Sequence, residues 1–397
     1  MEKSTSDQAS ILIVDDNPKN LQVLGSYLKE EGLLFEFALN GATAIEWTDQ
    51  RDFDLILLDI MMPQMDGFEV CKILKNDKKT RGIPVIFLTA KTDTESIVRA
   101  FSTGGVDYIT KPFNKEELLA RVYTQIKIRK ANNIIKNNLE EIENKNRQII
   151  NSINYARHIQ SGVIGMSQDL SVWFPDSFSF SLPKNIVGGD FTWSTKIADR
   201  TLLGVFDCTG HGVPGAFISL LYYIFLNDAV KYKGINEPHL ILDSLRESVI
   251  EILGQKGKTG EVHDGMDGTI ISYDKQGEFI NFAGAFNGIY LITEGIIHEY
   301  KGDKMPVSYH DKMKNFTMQK ISVKKGDVIY LFTDGYPDQF GGTGRKKMGT
   351  KRFREILLSH YREPMRTQKK ILLDSFSRWK DKEEQTDDVT VVGIRFN

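Results

Sequence analysis

Apolar and polar positions along the chain fall into three successive textures. In the first, short and nearly unbroken apolar runs (ILIVDD, FEFAL, FDLILLDI, IPVIFLTA, VDYITKPF) alternate with amphipathic stretches such as NLQVLGSYLKEEG and MDGFEVCKILKND. Strands buried on both faces read as continuous apolar runs, and the helix-length segments between them are crossovers. The pattern predicts an α/β domain with a five-stranded parallel sheet over residues 9–128.

The second texture has no Gly and no Pro between residues 128 and 160. Ile128, Ile135, Ile142 and Ile149 recur at seven, with Ala156 next in phase, and Asn132, Leu139, Asn146, Ile153 and Gln160 form a second row. This three-four alternation predicts a coiled-coil linker helix over residues 129–165, and the Asn residues in the seam favour a parallel, in-register homodimer. His158 is read as a linker residue.

From residue 170 to 397 the texture changes again, to strands separated by turns: FSFSLP, DFTWSTKIA, RTLLGVFDCTG, DGTIISYD, FINFAGAF, GIYLIT, DVIYLFTDG and DVTVVGIRF. Hairpin signals such as DKQG separate several of them. Two helical patterns, GAFISLLYYIFLNDAVK and HLILDSLRESVIEIL, interrupt the series, and two more fall between 350 and 381. Clustered strands with helices outside them predict an α+β layered β-sandwich.

Bulk properties narrow the classes. A chain of 397 residues exceeds one small core, and a net charge of −2 gives no basic footprint for nucleic acid. Two cysteines, Cys71 and Cys208, cannot build a disulfide framework. The apolar run AFISLLYYIFL is short for a membrane span, and MEKSTSDQAS does not read as a signal peptide. The expectation is a cytoplasmic protein that engages neither nucleic acid nor membrane.

The strand ends of the first domain carry its chemistry. Asp15 and Asp16 close the first strand, Asp59 the third and Thr89 the fourth, and Lys111 follows the fifth. In a parallel sheet these ends share one rim. Crowded carboxylates call for a hard divalent cation, and Mg²⁺ fits. A carboxylate flanked by that metal can accept a phosphoryl group, with Lys111 pairing the phosphate and Thr89 hydrogen-bonding it. With Asp15–Asp16, LLDIMMPQMDG, Thr89 and TKPF in this order, residues 9–128 resemble a response-regulator receiver domain of flavodoxin-like fold. The resemblance implies Asp59 as phosphoacceptor, Mg²⁺ held by Asp15, Asp16, Asp59 and the Met61 carbonyl, Tyr108 as the aromatic that turns inward with Thr89, and a cis Lys111–Pro112 peptide.

The string NIVGGDFTWS poses the question of the third region. Gly-Gly-Asp-Phe is either a damaged GGDEF cyclase signature or a tight turn aiming Asp190 at a metal. Asp207, Asp334 and Asp387 also stand at strand ends, and four such aspartates can converge into an oxygen-rich cage for two hard cations, Mn²⁺ or Mg²⁺. GGDFTW, FDCTGHGVPGAF, LFTDGY and TDDVTVV together resemble the bacterial sporulation and stress-response branch of the PPM serine/threonine phosphatases. A cyclase needs an acid where Phe191 stands.

Carried over from that family, Asp207 bridges both metals, Asp190 and the Cys208 carbonyl complete one site, and Asp334 and Asp387 complete the other. Asp388 stands where relatives often have Asn, a like-charge neighbour expected to weaken metal affinity. The roles of Asp264, Asp267 and His211 stay open at this stage.

The resemblances imply a two-component output phosphatase. A histidine kinase phosphorylates Asp59, the dimeric linker transmits the change, and the output is dephosphorylation of a phosphoserine or phosphothreonine protein, in the family often an anti-sigma-factor antagonist. A non-catalytic adaptor that sequesters a partner is the alternative, and a diguanylate cyclase is the third reading.

Overall fold

The computed structural model describes residues 8–90, 94–165, 170–256, 264–274 and 278–396, so positions 275–277 of the DKQG signal lie outside the described residues. The chain divides into two compact units, residues 1–146 and 147–397.

The first unit is built on β1 (Ser10–Val14), β2 (Leu34–Ala38), β3 (Leu55–Asp59), β4 (Val85–Thr89) and β5 (Asp107–Thr110), all parallel in the order β2-β1-β3-β4-β5. Period-two alternation divides their side chains between two cores. Leu12, Val14, Ile56 and Leu58 pack with Phe68, Val70 and Leu74, contributed by α3 (Gly67–Asn76) after α2 (Gly41–Gln50). Ile11, Ile13, Leu55 and Leu57 pack with Leu21, Leu24 and Leu28 of α1 (Pro18–Glu30). The helix starts follow local rules: Asn17 caps α1 ahead of Pro18, and Asp66 and Glu69 form a capping box on α3. A short α4 (Thr94–Ser102) precedes β5.

Helix α5 (Lys115–Gln160) begins with Leu118, Val122 and Ile126 buried in the α1-side core. Beyond them the seam emerges into solvent: Ile128, Ile135, Leu139, Ile142 and Ile149 are each about half exposed. A π-helical turn, Ser161–Gly165, follows.

The second unit contains two five-stranded antiparallel sheets. One is ordered β13 (Gln319–Ser322), β10 (Phe279–Ala285), β9 (Met266–Asp274), β8 (Arg200–Cys208), β7 (Phe191–Ile197). The other is β12 (Ile296–Tyr300), β11 (Ile289–Thr293), β14 (Val328–Phe332), β17 (Val389–Arg395), β6 (Ser177–Leu182). Leu203, Val205, Ile271 and Phe282 of the first meet Leu291, Ile329, Leu331 and Val392 of the second in a shared core.

Helices cover the outer faces. On the first sheet lie α6 (Val213–Asn227) and α7 (Pro238–Leu253), through Tyr222, Leu226, Ile241 and Leu245. On the second lie α8 (Gly335–Asp338), α9 (Gly349–His360) and α10 (Met365–Lys380), through Tyr336, Phe353 and Phe376; a small hairpin, β15 (Phe340–Gly341) and β16 (Lys346–Lys347), sits between α8 and α9. The result is the layered sandwich expected from the pattern. Val213–Tyr232 is long and apolar enough to cross a membrane by length and composition alone, yet Tyr222, Leu226, Ala229 and Val230 are buried within this unit.

Candidate active site

In the first unit the strand ends bring the expected residues together. Ligand oxygens of Asp15, Asp16 and Asp59 lie within 4.8 Å of one another. Lys111 Nζ is 2.8 Å from both Asp15 Oδ2 and Asp59 Oδ2. Asp15 is positioned further by Asn20 Nδ2, which donates to it at 3.0 Å. Burial pushes the Asp59 carboxyl above the ordinary aspartate value, against the pull of Lys111. Burial opposes the Lys111 ammonium as well, but its two carboxylate partners outweigh that and raise its pKa.

The remaining receiver candidates flank this group. Met61 N–H donates to Asp59 Oδ1 at 3.4 Å, and Thr89 is buried at the end of β4. Tyr108 meets Phe101 edge-on at 6.3 Å. The Lys111–Pro112 peptide is cis, as the resemblance implies.

In the second unit the Gly-Gly-Asp turn precedes β7. A Cβ on Gly189 would stand 2.7 Å from the Cys208 carbonyl oxygen, and one on Gly188 would stand 2.7 Å from Asp388 Oδ2. Only glycine permits this approach, which is why the turn can press Asp190 against the end of β8. Thr333 Oγ1 donates to Asp190 Oδ2 at 2.6 Å and itself accepts Thr390 N–H at 2.9 Å. Asp190 Oδ1 is buried with no partner among the described residues. A buried, oriented and unpaired carboxylate oxygen fits a cation, since it is otherwise costly.

The other aspartates surround it. Burial first, then the charges of Asp190, Asp334, Asp387 and Asp267, push Asp207 up to about 10. Asp334, exposed at the edge, shares a hydrogen bond with Asp207, and its own pKa is raised by shielding and by Asp338 and Asp387. So Asp190, Asp207, Asp334 and Asp387 do converge, from four distant points of the sequence. Their all-oxygen donor set suits Mg²⁺ or Mn²⁺, and mutual repulsion is the condition a cation relieves. Cys208 is buried and its thiol is pushed well above the usual range, first by burial, so it is not a nucleophile.

Of the positions whose roles stayed open, Asp267 and Asp264 find distinct places, and Gln160 adds a contact the sequence did not suggest. Asp267 lies inside β9, directly across from Asp207 in the β8–β9 register, and burial followed by Asp334 raises it to about 7. Asp264 instead contributes a backbone carbonyl, accepting Gln255 Nε2 at 2.7 Å. Gln160, read only as a seam position, turns its amide into the unit: Nε2 donates to the Gly188 carbonyl at 2.7 Å and to Ser219 Oγ at 2.9 Å. His211 Nδ1 lies 3.0 Å from Asn185 Nδ2. Asp388 spends both oxygens on backbone N–H groups, those of Lys184 and Gly189, each at 2.6 Å.

Fold and site define the class: a response-regulator receiver domain joined to a phosphatase domain of the PPM type. Residues 11–123 match the response regulator receiver domain. Residues 198–397 match Stage II sporulation protein E, half of the chain, and the chain belongs to that family. The solved SiaA-PP2C domain of Pseudomonas aeruginosa is similar at 29% identity and TM-score 0.58, covering 64% of this chain and 99% of its own.

Two curated relatives are similar over shorter stretches. The DNA-binding response regulator MtrA of Mycolicibacterium smegmatis is 39% identical over 117 residues, 30% of this chain and 50% of that protein. The DNA-binding dual master transcriptional regulator RpaA of Synechocystis is 41% identical over 112 residues, 28% of this chain and 46% of that protein. The chain thus spans half or less of the length of these relatives.

Proposed function

We propose that this chain is a response regulator whose output is divalent-metal-dependent hydrolysis of a phosphoserine or phosphothreonine protein, controlled by phosphorylation of Asp59. The observation that carries the reading is the convergence of Asp190, Asp207, Asp334 and Asp387 on one electrostatically linked cluster, with a buried Asp190 oxygen that has no partner among the described residues. In this reading Asp190, Asp207, Asp334, Asp387 and the Cys208 carbonyl would hold two Mn²⁺ or Mg²⁺ ions, with Asp207 as the ligand common to both sites. When bound, such ions supply Lewis-acid activation of water and neutralise phosphate charge. The chain's own part is positional: Thr333 fixes the rotamer of Asp190, and Asp388 locks the turn that carries it.

In the receiver, Asp15, Asp16, Asp59 and the Met61 carbonyl would hold Mg²⁺, and a histidine kinase would supply the phosphoryl group to Asp59. Lys111 already contacts the acceptor oxygen and is placed to neutralise the phosphoryl charge; Thr89 and Tyr108 register it. A parallel homodimer through the exposed seam of α5 transmits the change. The phosphoprotein substrate class includes anti-sigma-factor antagonists. Activation by phosphorylation is the expected direction.

Hydrolysis of a phosphoseryl peptide in Mn²⁺, with and without beryllofluoride at Asp59, tests the whole reading, with Asp207→Ala as the control. Turnover that Asp207→Ala abolishes and beryllofluoride raises supports it. Absence of turnover in both states, with metal bound, favours an adaptor.

A further inference from the structure

Between β12 and β13, residues 301–318 run without regular helix or strand. Irregular segments of that length are commonly mobile or functional. This one is fastened along its whole course. Asp303 N–H donates to the Gly284 carbonyl at 2.8 Å, and Val307 N–H donates to the Met266 carbonyl at 2.8 Å. Tyr222 of α6 donates its hydroxyl to the Val307 carbonyl. The buried amide of Gln255 accepts Tyr309 N–H at 2.9 Å, and Arg246 Nη1 donates to the Lys314 carbonyl at 2.7 Å. A segment held by so many separate elements is a wall, preorganised at the cost of conformational freedom already lost in folding.

The wall borders the aspartate cluster. A cavity of about 480 Å³ is lined by Asp207, Asp267 and Asp387 together with Ser308, Tyr309 and His310. Ser308 is buried and seated against the start of β9, where a Cβ on Gly265 would come within 2.5 Å of its Oγ. His310 is half-buried, and its Nδ1 accepts Lys312 N–H at 3.2 Å. A backbone amide can only donate, so Nδ1 keeps its lone pair and the ring proton resides on Nε2. His310 therefore offers an N–H donor to a cavity that also holds three aspartates, His211 and the hydroxyl-bearing Thr209 and Ser308. Such a donor has no lone pair for a cation. It fits an oxyanion brought in by the substrate.

We propose that His310 is a substrate-contacting residue of this site, its Nε2–H donating a hydrogen bond to a phosphoryl oxygen of the bound phosphoseryl or phosphothreonyl peptide. The inference rests on the phosphatase reading above. His310 acts in this proposal as a hydrogen-bond donor through Nε2.

The test uses the full chain with Mn²⁺ and two variants, His310→Phe, which keeps a ring without a donor, and His310→Gln, which keeps an N–H at comparable reach. Turnover of a phosphoseryl peptide is measured alongside calorimetric binding of the same peptide carrying a non-hydrolysable phosphonate, and of Mn²⁺ itself. His310→Phe is expected to lower kcat/KM and phosphonate-peptide affinity about tenfold or more, the effect of one hydrogen bond to a charged group. His310→Gln is expected to recover most of both, with Mn²⁺ affinity unchanged in either variant.

His310→Phe equal to wild type overturns the inference while leaving the phosphatase reading intact. So does His310→Gln as impaired as His310→Phe, or a loss of Mn²⁺ affinity, which would make His310 a metal ligand. A wild-type chain that neither hydrolyses the phosphopeptide nor binds its phosphonate overturns the phosphatase reading and this inference with it.

Discussion

Asp388 Oδ2 accepts the N–H of Gly189 at 2.6 Å, across 199 residues of sequence. The residue next to Asp387 is thereby the clamp on the turn that presents Asp190. A position that looks in the sequence like a fifth acid competing for metal is occupied in holding two proposed ligands in one frame.

Removing that clamp should be expensive. Asp388→Ala leaves the Gly189 and Lys184 amides without an acceptor, and each buried unsatisfied donor costs about 1–3 kcal/mol. A loss of roughly 2 kcal/mol or more in urea denaturation is expected, together with weakened Mn²⁺ binding. Asp388→Asn keeps one good acceptor and should lose less. Unchanged stability in Asp388→Ala would contradict the role.

Gln160 joins the end of α5 to the same turn through the Gly188 carbonyl. Gln160→Leu keeps the volume and removes both donors, so peptide turnover should fall about tenfold while the melting temperature moves little, the loss of one or two hydrogen bonds. Gln160→Glu should behave at least as badly, since a carboxylate would face the Gly188 carbonyl. Wild-type turnover in both variants would separate the helix end from the site.

Stability of the metal-free protein should fall as pH rises. Burial, then neighbouring aspartates, hold Asp207 up to about 10, while burial and Asp334 hold Asp267 at about 7. An unfolded aspartate titrates near ~4. The folded state therefore keeps protons that the unfolded state releases between those values, and the penalty, absent below about pH 4, grows as pH climbs. The melting temperature should be several degrees lower at pH 8.5 than at pH 5.5. Asp207→Asn should flatten that slope, and Mn²⁺ should stabilise more at the higher pH. A metal-free melting temperature that increases over this range would refute the cluster's electrostatics.

How much of this could be read beforehand varied with the range of the interaction. Buried strands such as FDLILLDI and DVIYLFTDG announce themselves because both faces or one full face must be apolar. The edge strands β12, with its IIHEY sequence, and β13, QKIS, carry no such pressure and gave no signal. Asp190, Asp207, Asp334 and Asp387 were legible from their motifs, one strand end at a time. The role of Asp267 stayed open, because it depends on lying opposite Asp207, and cross-strand register is a tertiary fact. The wall at 301–318 was equally silent, since its order comes from Tyr222, Gln255 and Arg246 elsewhere in the chain.

The seam of α5 makes a separate prediction. Ile135 and Ile142 are 64% and 55% exposed, apolar surface that a second helix would cover. Ile135→Asp combined with Ile142→Asp should convert a dimer to a monomer in sedimentation and abolish the beryllofluoride response. A wild-type chain that sediments as a monomer with beryllofluoride bound would remove the dimer from the account.

Both native cysteines are sealed in: Cys71 is 0% and Cys208 2% exposed, and burial raises both thiols. The folded protein is consequently a silent background for thiol chemistry. One cysteine placed on the exposed face of α5 would be the sole reactive handle, so a fluorophore or spin label attached there would report on the helix without disturbing either carboxylate cluster. The same concealment makes the wild-type thiols a clock for unfolding, since neither should react with a maleimide until its domain opens.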